Sequence, residues 1–407
     1  MKFHLIAVEN TADIKKWHQV PHTIYRNDDN WIAPLEGMIE DVFTKGKNVL
    51  LDDGEAKRWF VLDQNKNYVG RIAAFYNPRK ANKGLYRVGG AGFFECIDNQ
   101  EVADLLFDTA RQWLEKNNMQ VFDAPVNFGE NDNFWGLLVE GFEPPVFGMN
   151  YNPPYYQKLF ENYGFIQIYE QISKRMHMPT AFPERLEKIM EYVKQKHEIE
   201  YVFFDKKNVE KFVDDLIHIY NDAWVFHPEF TPLKKAQVYK AMNNLKDLLV
   251  ETMITFAYVK GEPAGFFMAI PDFNQIIKPF KGKIPFIEKI KLFLRKGKDF
   301  QWYVDKGILT RGRVTLLGIR PKFQRLGLES GLIITPFKLA VKRGFVESEI
   351  SWVGDYNPKM MALLNSFDAR LSGRFWTMRY AIDNKIVVEK KEAIPVNTKE
   401  ILLKEKE

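Results

Sequence analysis

One order of elements occurs twice along this chain at an offset of about two hundred residues, and that recurrence restricts the fold more than any other feature. In the first half, Trp59–Asp63 and Tyr68–Phe75 read as a hairpin, followed by a strand at Val88–Glu95 and a helix at Glu101–Lys116. A strand at Val121–Ala124, an irregular stretch, a helix after Asn152-Pro153-Pro154 and a strand at Phe165–Ile172 complete it. The second half repeats the series: hairpin Phe256–Val259 and Ala264–Ile270, strand Arg313–Ile319, helix Leu328–Lys342, strand Ser348–Val353, helix Pro358–Leu364, strand Phe375–Ile382. Gly70 matches Gly265, and Asn152-Pro153 matches Asn357-Pro358. A chain of 407 residues is long enough for two such units. The reading is α/β, with a first domain over 1–180, a second over 181–385 carrying an insertion at 271–312, and a charged tail at 386–407. Pro179 and Pro183 punctuate the boundary.

The stretch Arg313 to Gly331 carries the chemistry. An apolar strand runs into the short basic loop Arg320-Pro321-Lys322-Phe323-Gln324-Arg325-Leu326-Gly327, and the loop opens a helix. A helix start offers unpaired N–H groups and the positive end of the helix dipole. Gly327 lets the backbone approach a phosphate, and Lys322 and Arg325 add charge. Together they describe a pyrophosphate cradle, although a basic strand-to-helix loop taken alone is equally a plain turn.

In its setting, this stretch resembles motif A of the GNAT superfamily, whose loop reads Gln/Arg-x-x-Gly-x-Gly/Ala. Gln324, Arg325, Leu326, Gly327 and Leu328 fit that loop, and Glu329 stands where the superfamily has a small residue. The resemblance covers about Glu200 to Ile382; in the first half it is architectural only, because no glycine-bearing basic loop follows Phe94–Asp98. It implies two tandem GNAT-like domains, each a central mixed sheet flanked by helices, and an N-acyltransferase using acetyl-CoA or a longer acyl-CoA. By the same resemblance Leu317, Gly318 and Ile319 would meet the pantetheine arm. Gln324, Arg325, Leu326, Gly327, Leu328 and Ser330 would hold the pyrophosphate, and Asn357 would meet the pantetheine or the amine.

An amine sheds a proton when it attacks a thioester, so a base is expected. Many GNAT enzymes carry a tyrosine about seven residues after the Asn of the next helix. Here that place falls at Leu364 or Asn365, neither a comparable acid. Tyr356, Asp355 and Glu349 are the remaining candidates. Asp355 reads equally as a helix cap, and Glu349 as a solvated surface residue. His227 and Glu251 are further polar residues near the acceptor region, each with a structural alternative. The segments Asn127–Asp132 and Tyr151–Tyr156 either line an acceptor cleft or fasten the halves together.

Composition bounds the rest. Net charge is +5, too balanced to imply nucleic acid, which also argues against the tRNA-dependent aminoacyl transfer that some tandem GNAT folds perform. The lone Cys96 permits no internal disulfide and lies in an apolar stretch, and no residue cluster indicates a metal. No signal peptide and no membrane-spanning run are apparent, so a cytoplasmic protein is expected. Within 278–298, apolar Phe286, Ile287, Ile290, Phe293 and Leu294 keep helical spacing with lysines opposite. That pattern fits an anionic membrane at the inner face or a helix packed on its own domain. The acceptor is then a small-molecule or a lipid amine, and a non-catalytic acyl-CoA sensor is the reading outside enzymes.

Overall fold

The computed structural model describes residues 2–129, 131, 133–180, 184–225, 230, 232–245 and 249–394. Its strands are β1 (Phe3–Ala7), β2 (Glu55–Asp63), β3 (Tyr68–Tyr76), β4 (Val88–Cys96), β5 (Val121–Ala124), β6 (Leu137–Glu140) and β7 (Ile166–His177) in the first half. In the second half they are β8 (Ile199–Phe203), β9 (Ile254–Val259), β10 (Glu262–Pro271), β11 (Arg311–Ile319), β12 (Glu347–Gly354) and β13 (Arg370–Ala381). Every hairpin, strand and helix read in the recurrence is present, some a few residues longer.

All the strands join one mixed sheet in the order β1-β2-β3-β4-β5-β13-β7-β12-β11-β10-β9-β8, with β6 on β13. Each half hands its closing strand to the other. The last strand, β13, pairs with β5 of the first half through Met378↔Ala124 to Ala381↔Val121. Conversely β7 pairs with β12 of the second half through Glu347↔His177 to Gly354↔Gln171. The two exchanged strands, each 12 residues long, lie against one another from Arg370↔Arg175 to Arg379↔Ile166.

Helices bury apolar faces on the sheet. Gln100–Lys116 lays Val102, Leu106, Ala110 and Leu114 onto the first half's core. Leu328–Arg343 does the same in the second with Leu328, Leu332, Ile333 and Phe337. Among the apolar groups buried on the exchanged strands, one ion-pair network is buried as well. Arg175 Nε donates to Glu349 Oε2 at 2.8 Å, and its Nη1 reaches Glu143 Oε2 at 2.8 Å. Ser372 also donates to Glu349. Glu349 is buried on β12, so neither a solvated nor a cleft-lining position describes it: it neutralises Arg175 beneath the sheet's centre.

The charged tail at 386–407 is described in part. Its part up to Ile394 docks, with the Lys391 N–H donating to Ile168 O at 2.8 Å and the Ile394 N–H to Tyr356 O at 2.7 Å. Val388 and Ile394 pack on Ile168, Tyr169 and Tyr356. Residues 395–407 lie outside the described residues.

Breaking a buried ion pair from one side leaves an uncompensated charge. Arg175→Ala should therefore cost about 3–5 kcal/mol, and because its strand is shared, the two halves should melt together. Two separate transitions in differential scanning calorimetry would contradict a shared centre.

Candidate active site

The site lies where β11 leaves β12. These parallel strands pair only from Arg311↔Glu347 to Val314↔Ile350. Beyond that, β12 stays with β7 at Val353 and Gly354, while β11 continues along β10 to Gly265↔Ile319. Among the described residues no strand pairs with the β12-facing edge of β11 from Thr315 to Ile319. A bulge marks the divergence: Met268 faces Leu316 and Ala269 faces Val314, so Thr315 is the extra residue, and its hydroxyl donates to Met268 O at 3.1 Å. An edge of this kind presents main-chain N–H and C=O groups with strand spacing, which suits the amides of a pantetheine arm. Leu317, Gly318 and Ile319 lie on it. Trp224 closes over Gly318 so tightly that a Cβ there would stand 2.4 Å from its ring.

At the top of the cleft the loop turns sharply. Arg325 at φ +70° and Gly327 at φ +80° are both left-handed, and Gly327 leads into the Leu328–Arg343 helix with no side-chain cap. Alternating backbone handedness of this sort gathers successive N–H groups into a concave anion site, here at the positive end of a helix. Gln324 Nε2 anchors the loop on Ile319 O at 3.2 Å, and Ser330 Oγ donates to Gly327 O at 2.6 Å. Ser330 is buried and steadies the turn; its hydroxyl is used within the loop. A residue larger than Gly327 would be strained and would press on Ile189 and Val193 of the Glu184–His197 helix.

The charges around the loop are distributed differently from the sequence reading. Lys322 pairs with Glu262, as does Arg320 at 2.7 Å, and Arg320 also meets Asp222 at 2.7 Å, so this side of the loop is internally neutralised. Arg325 is exposed. Across the cleft, Lys359 at the start of the Pro358–Asn365 helix reaches Gln324 Oε1 at 3.3 Å. Lys359 was not singled out in the sequence, although its place two residues after Asn357 is the signal that could have found it. Glu329 is half-buried in the helix's first turn, facing the Tyr201 hydroxyl whose acidity it weakens after burial.

The proton-handling candidates separate. Asn357, not Asp355, caps the Pro358–Asn365 helix, accepting from the Met360 N–H at 3.2 Å. Asp355 instead accepts from the Glu170 N–H of β7 at 3.2 Å, and it is exposed at the end of β12. Desolvation, then the neighbouring Glu170 charge, raises its carboxyl above the usual Asp range. Tyr356 is buried edge-on against Tyr169 at 5.1 Å, with Lys391 4.4 Å above its ring. Glu349 sits below the divergence, beside Arg313, whose Nε donates to Ser351 Oγ at 2.9 Å. Asp355 thus lies beyond the end of β12 against β7, Asn357 caps the following helix, and Glu349 is held in an ion pair with Arg175. Glu251 accepts from the Lys206 N–H at 2.8 Å; His227 lies outside the described residues.

The first half has the same parting of strands but fills it. β4 pairs with β5 only from Val88↔Val121 to Gly90↔Asp123, and the Val126 N–H just beyond β5 donates back to Ala91 O at 2.9 Å. A Cβ at Gly92 would stand 1.8 Å from Val126 O. Beneath lies a buried cluster in which Glu95 accepts from Tyr25 at 2.7 Å, Tyr156 at 3.0 Å and Arg71 at 3.3 Å. Tyr151 and Asn152 hydrogen-bond within the first half, to Asp28 and Leu138, while Tyr151 packs in one cluster with Trp352 and Phe375 of the second half, and Tyr156 in another with Met378. Pro145 and Phe147 also join the halves through their carbonyls, which accept from Asn274 at 2.8 Å and Arg313 at 2.6 Å. Of 127–132, Glu130 and Asp132 lie outside the described residues; Asn131 reaches Gln171.

One sheet built of two halves that exchange their closing strands, one half with an open divergence under a left-handed loop, is similar in fold to solved GCN5-related N-acetyltransferases, a tandem one among them. A tandem GNAT protein of the clavulanic acid pathway superposes with a TM-score of 0.54 at 10% identity, covering 93% of this chain and 98% of that one. A GCN5-related N-acetyltransferase from Sphaerobacter thermophilus gives 0.52 at 9% identity, over 96% and 99%. The glucosamine N-acetyltransferase region of a fungal multi-domain β-N-acetylglucosaminidase gives 0.54 at 12% identity; the match covers 93% of this chain and spans 38% of the fungal protein. In sequence, the chain is 27% identical over 364 residues to the bacterial ceramide synthase of Caulobacter vibrioides, covering 88% of this chain and 91% of that protein. It is 26% identical over 379 residues to protein YghO of Escherichia coli, covering 90% and 92%. No family model matches the chain.

If the loop receives a pyrophosphate, reversing a charge at its rim should repel it. Arg325→Glu and Lys359→Glu should each weaken acyl-CoA binding roughly tenfold at low salt, with the difference shrinking as salt rises. Unchanged affinity in both, measured by calorimetric titration, would remove the cradle.

Proposed function

We propose that this chain is an acyl-CoA-dependent N-acyltransferase whose acceptor is a lipid amine. The observation that carries the reading is the open edge Thr315–Ile319 ending at the left-handed turn of Arg325 and Gly327. The fold of its structural neighbours supports N-acyl transfer, and likeness to a bacterial ceramide synthase over most of both chains supports a long-chain amine above a small soluble one.

In this reading the thioester supplies an activated acyl carbon and a thiolate leaving group. The main-chain N–H groups of the parted strand hold the acyl oxygen, where charge develops as the amine attacks. The amine nitrogen bonds to the acyl carbon, the carbon–sulfur bond breaks, and the nitrogen's proton passes to a base. Asp355 is our candidate for that base: it sits at the outer end of β12, and its raised carboxyl pKa makes it a better proton acceptor than an ordinary Asp. Asn357 fixes the helix start beside it. The thiolate takes a proton on leaving, so amine and acyl-CoA give amide and free CoA.

Two features favour the alternative of an acyl-CoA sensor. Glu329 puts a carboxylate in the first turn of the cradle helix, and the position of the usual GNAT acid falls on buried Leu364 or exposed Asn365. Turnover separates the readings. Long-chain acyl-CoA and a long-chain amino alcohol should yield the amide by mass spectrometry, one free thiol per amide. The rate should fall as pH drops through a pKa above the usual Asp range, and Asp355→Asn should lose most of the rate together with that limb. Tight acyl-CoA binding without amide from any amine would leave the sensor.

A further inference from the structure

The insertion between β10 and β11 is held firmly at its base. Arg311 Nη2 meets Asp272 Oδ2 at 2.7 Å, Asn274 donates to Pro145 O at 2.8 Å, Lys278 to Asp29 O at 3.0 Å, and Lys283 pairs with Glu36 at 3.1 Å. Two of these partners lie on the Pro145 loop and the Glu36–Val42 helix, and the third on Asp29, all in the first half. The helix at its centre, Phe286–Lys296, is therefore presented in a set orientation.

That helix packs inward with the wrong side for a self-contained domain. Leu292, with Ile284 just before the helix, touches the second half's core. At roughly 100° per residue, the other apolar residues gather on the face away from Leu292. Phe286 is 77% exposed, Ile287 66%, Ile290 44%, Phe293 75% and Leu294 73%. Single exposed apolar residues need no explanation, but five adjoining on one helix face form a patch that marks a binding surface. Lys289 and Lys291 border the stripe, both exposed, and Glu288 is paired to Lys291 at 2.6 Å. From Lys278 to Lys298 the chain has eight basic residues and one acid.

We infer that the Phe286–Lys296 helix docks this protein on an anionic phospholipid bilayer, its apolar stripe entering the acyl-chain boundary and its lysines meeting the phosphates. The chemistry favours that occupant. Apolar residues flanked by long cationic side chains suit an interface where rings and alkyl groups sink while amines stay with the headgroups. A second copy on the same face would bring the exposed lysines that border one stripe, Lys289 and Lys291, against those of the other. The contact is peripheral, since no helix among the described residues is long and apolar enough to cross a membrane. The surface stands apart from the acyl-transfer reading, though a lipid amine would be met there.

Co-sedimentation of the full chain with vesicles tests this without any turnover. The protein should bind phosphatidylglycerol-containing vesicles at low salt, weakly or not at all pure phosphatidylcholine, and should release as salt rises. Phe293→Ser with Leu294→Ser should lower the partition coefficient roughly tenfold or more, and Lys289→Glu with Lys291→Glu should remove the preference for anionic lipid. Both pairs are on the surface, so circular dichroism melts should match the parent and acyl-CoA affinity should be kept. Absence of binding to anionic vesicles at low salt, binding indifferent to the serine pair, or a dimer dissolved by that pair in place of vesicle binding would each overturn the inference.

Discussion

β7 and β13 run side by side through the middle of the sheet, and each belongs by sequence to one half while its partners, among the described residues, are strands of the other. Removing either would expose strand edges of the other half, so neither half has a finished sheet without the other. The buried ion pair of Arg175 with Glu349 lies on this seam, where two charges hold each other in a place water does not reach. Such pairs add little net stability over apolar packing but penalise any register that separates them. The seam therefore fixes how β12 lies, and with it where β12 parts from β11.

The two clefts differ for a local reason. In the first half the chain after β5 turns back into its own divergence, and Glu95 with Tyr25, Tyr156 and Arg71 fills the space beneath. In the second half β12 runs on along β7, so the strand that would close the gap is already engaged. The same duplication thus gives one packed wedge and one open groove. The first half contributes to the second's site from outside, through the Phe147 carbonyl on Arg313 and its N–H on Asp272.

Local elements were legible because their signals are local. Alternation gave the hairpins, Asn-Pro gave the helix starts, and the strand–loop–helix pattern of Arg313 to Gly331 gave the turn with its left-handed Gly327. The exchange was not legible: β7 and β13 alternate in a way that suits either neighbour, and only their 12-residue length hints at extra partners. Glu349 looked like a surface or site residue because its counter-ion is 174 residues away in sequence. Charge alone hid the docking of Lys391 and Ile394 over Tyr356, whereas the periodicity of Phe286 to Leu294 was plain and only its exposure was undecided. Lys359 went unnoticed because a lysine beside a helix cap has no signal of its own until the loop opposite is placed.

Backbone hydrogen exchange, followed by mass spectrometry with and without a long-chain acyl-CoA, reads the central claim directly. The account predicts added protection at Thr315–Ile319 and Arg325–Ser330, where open main-chain groups gain partners, and little change at the filled divergence of Gly90–Cys96. Protection confined to the first half, or none at Thr315–Ile319 despite saturating ligand, would contradict the assignment of the open groove as the acyl-CoA site.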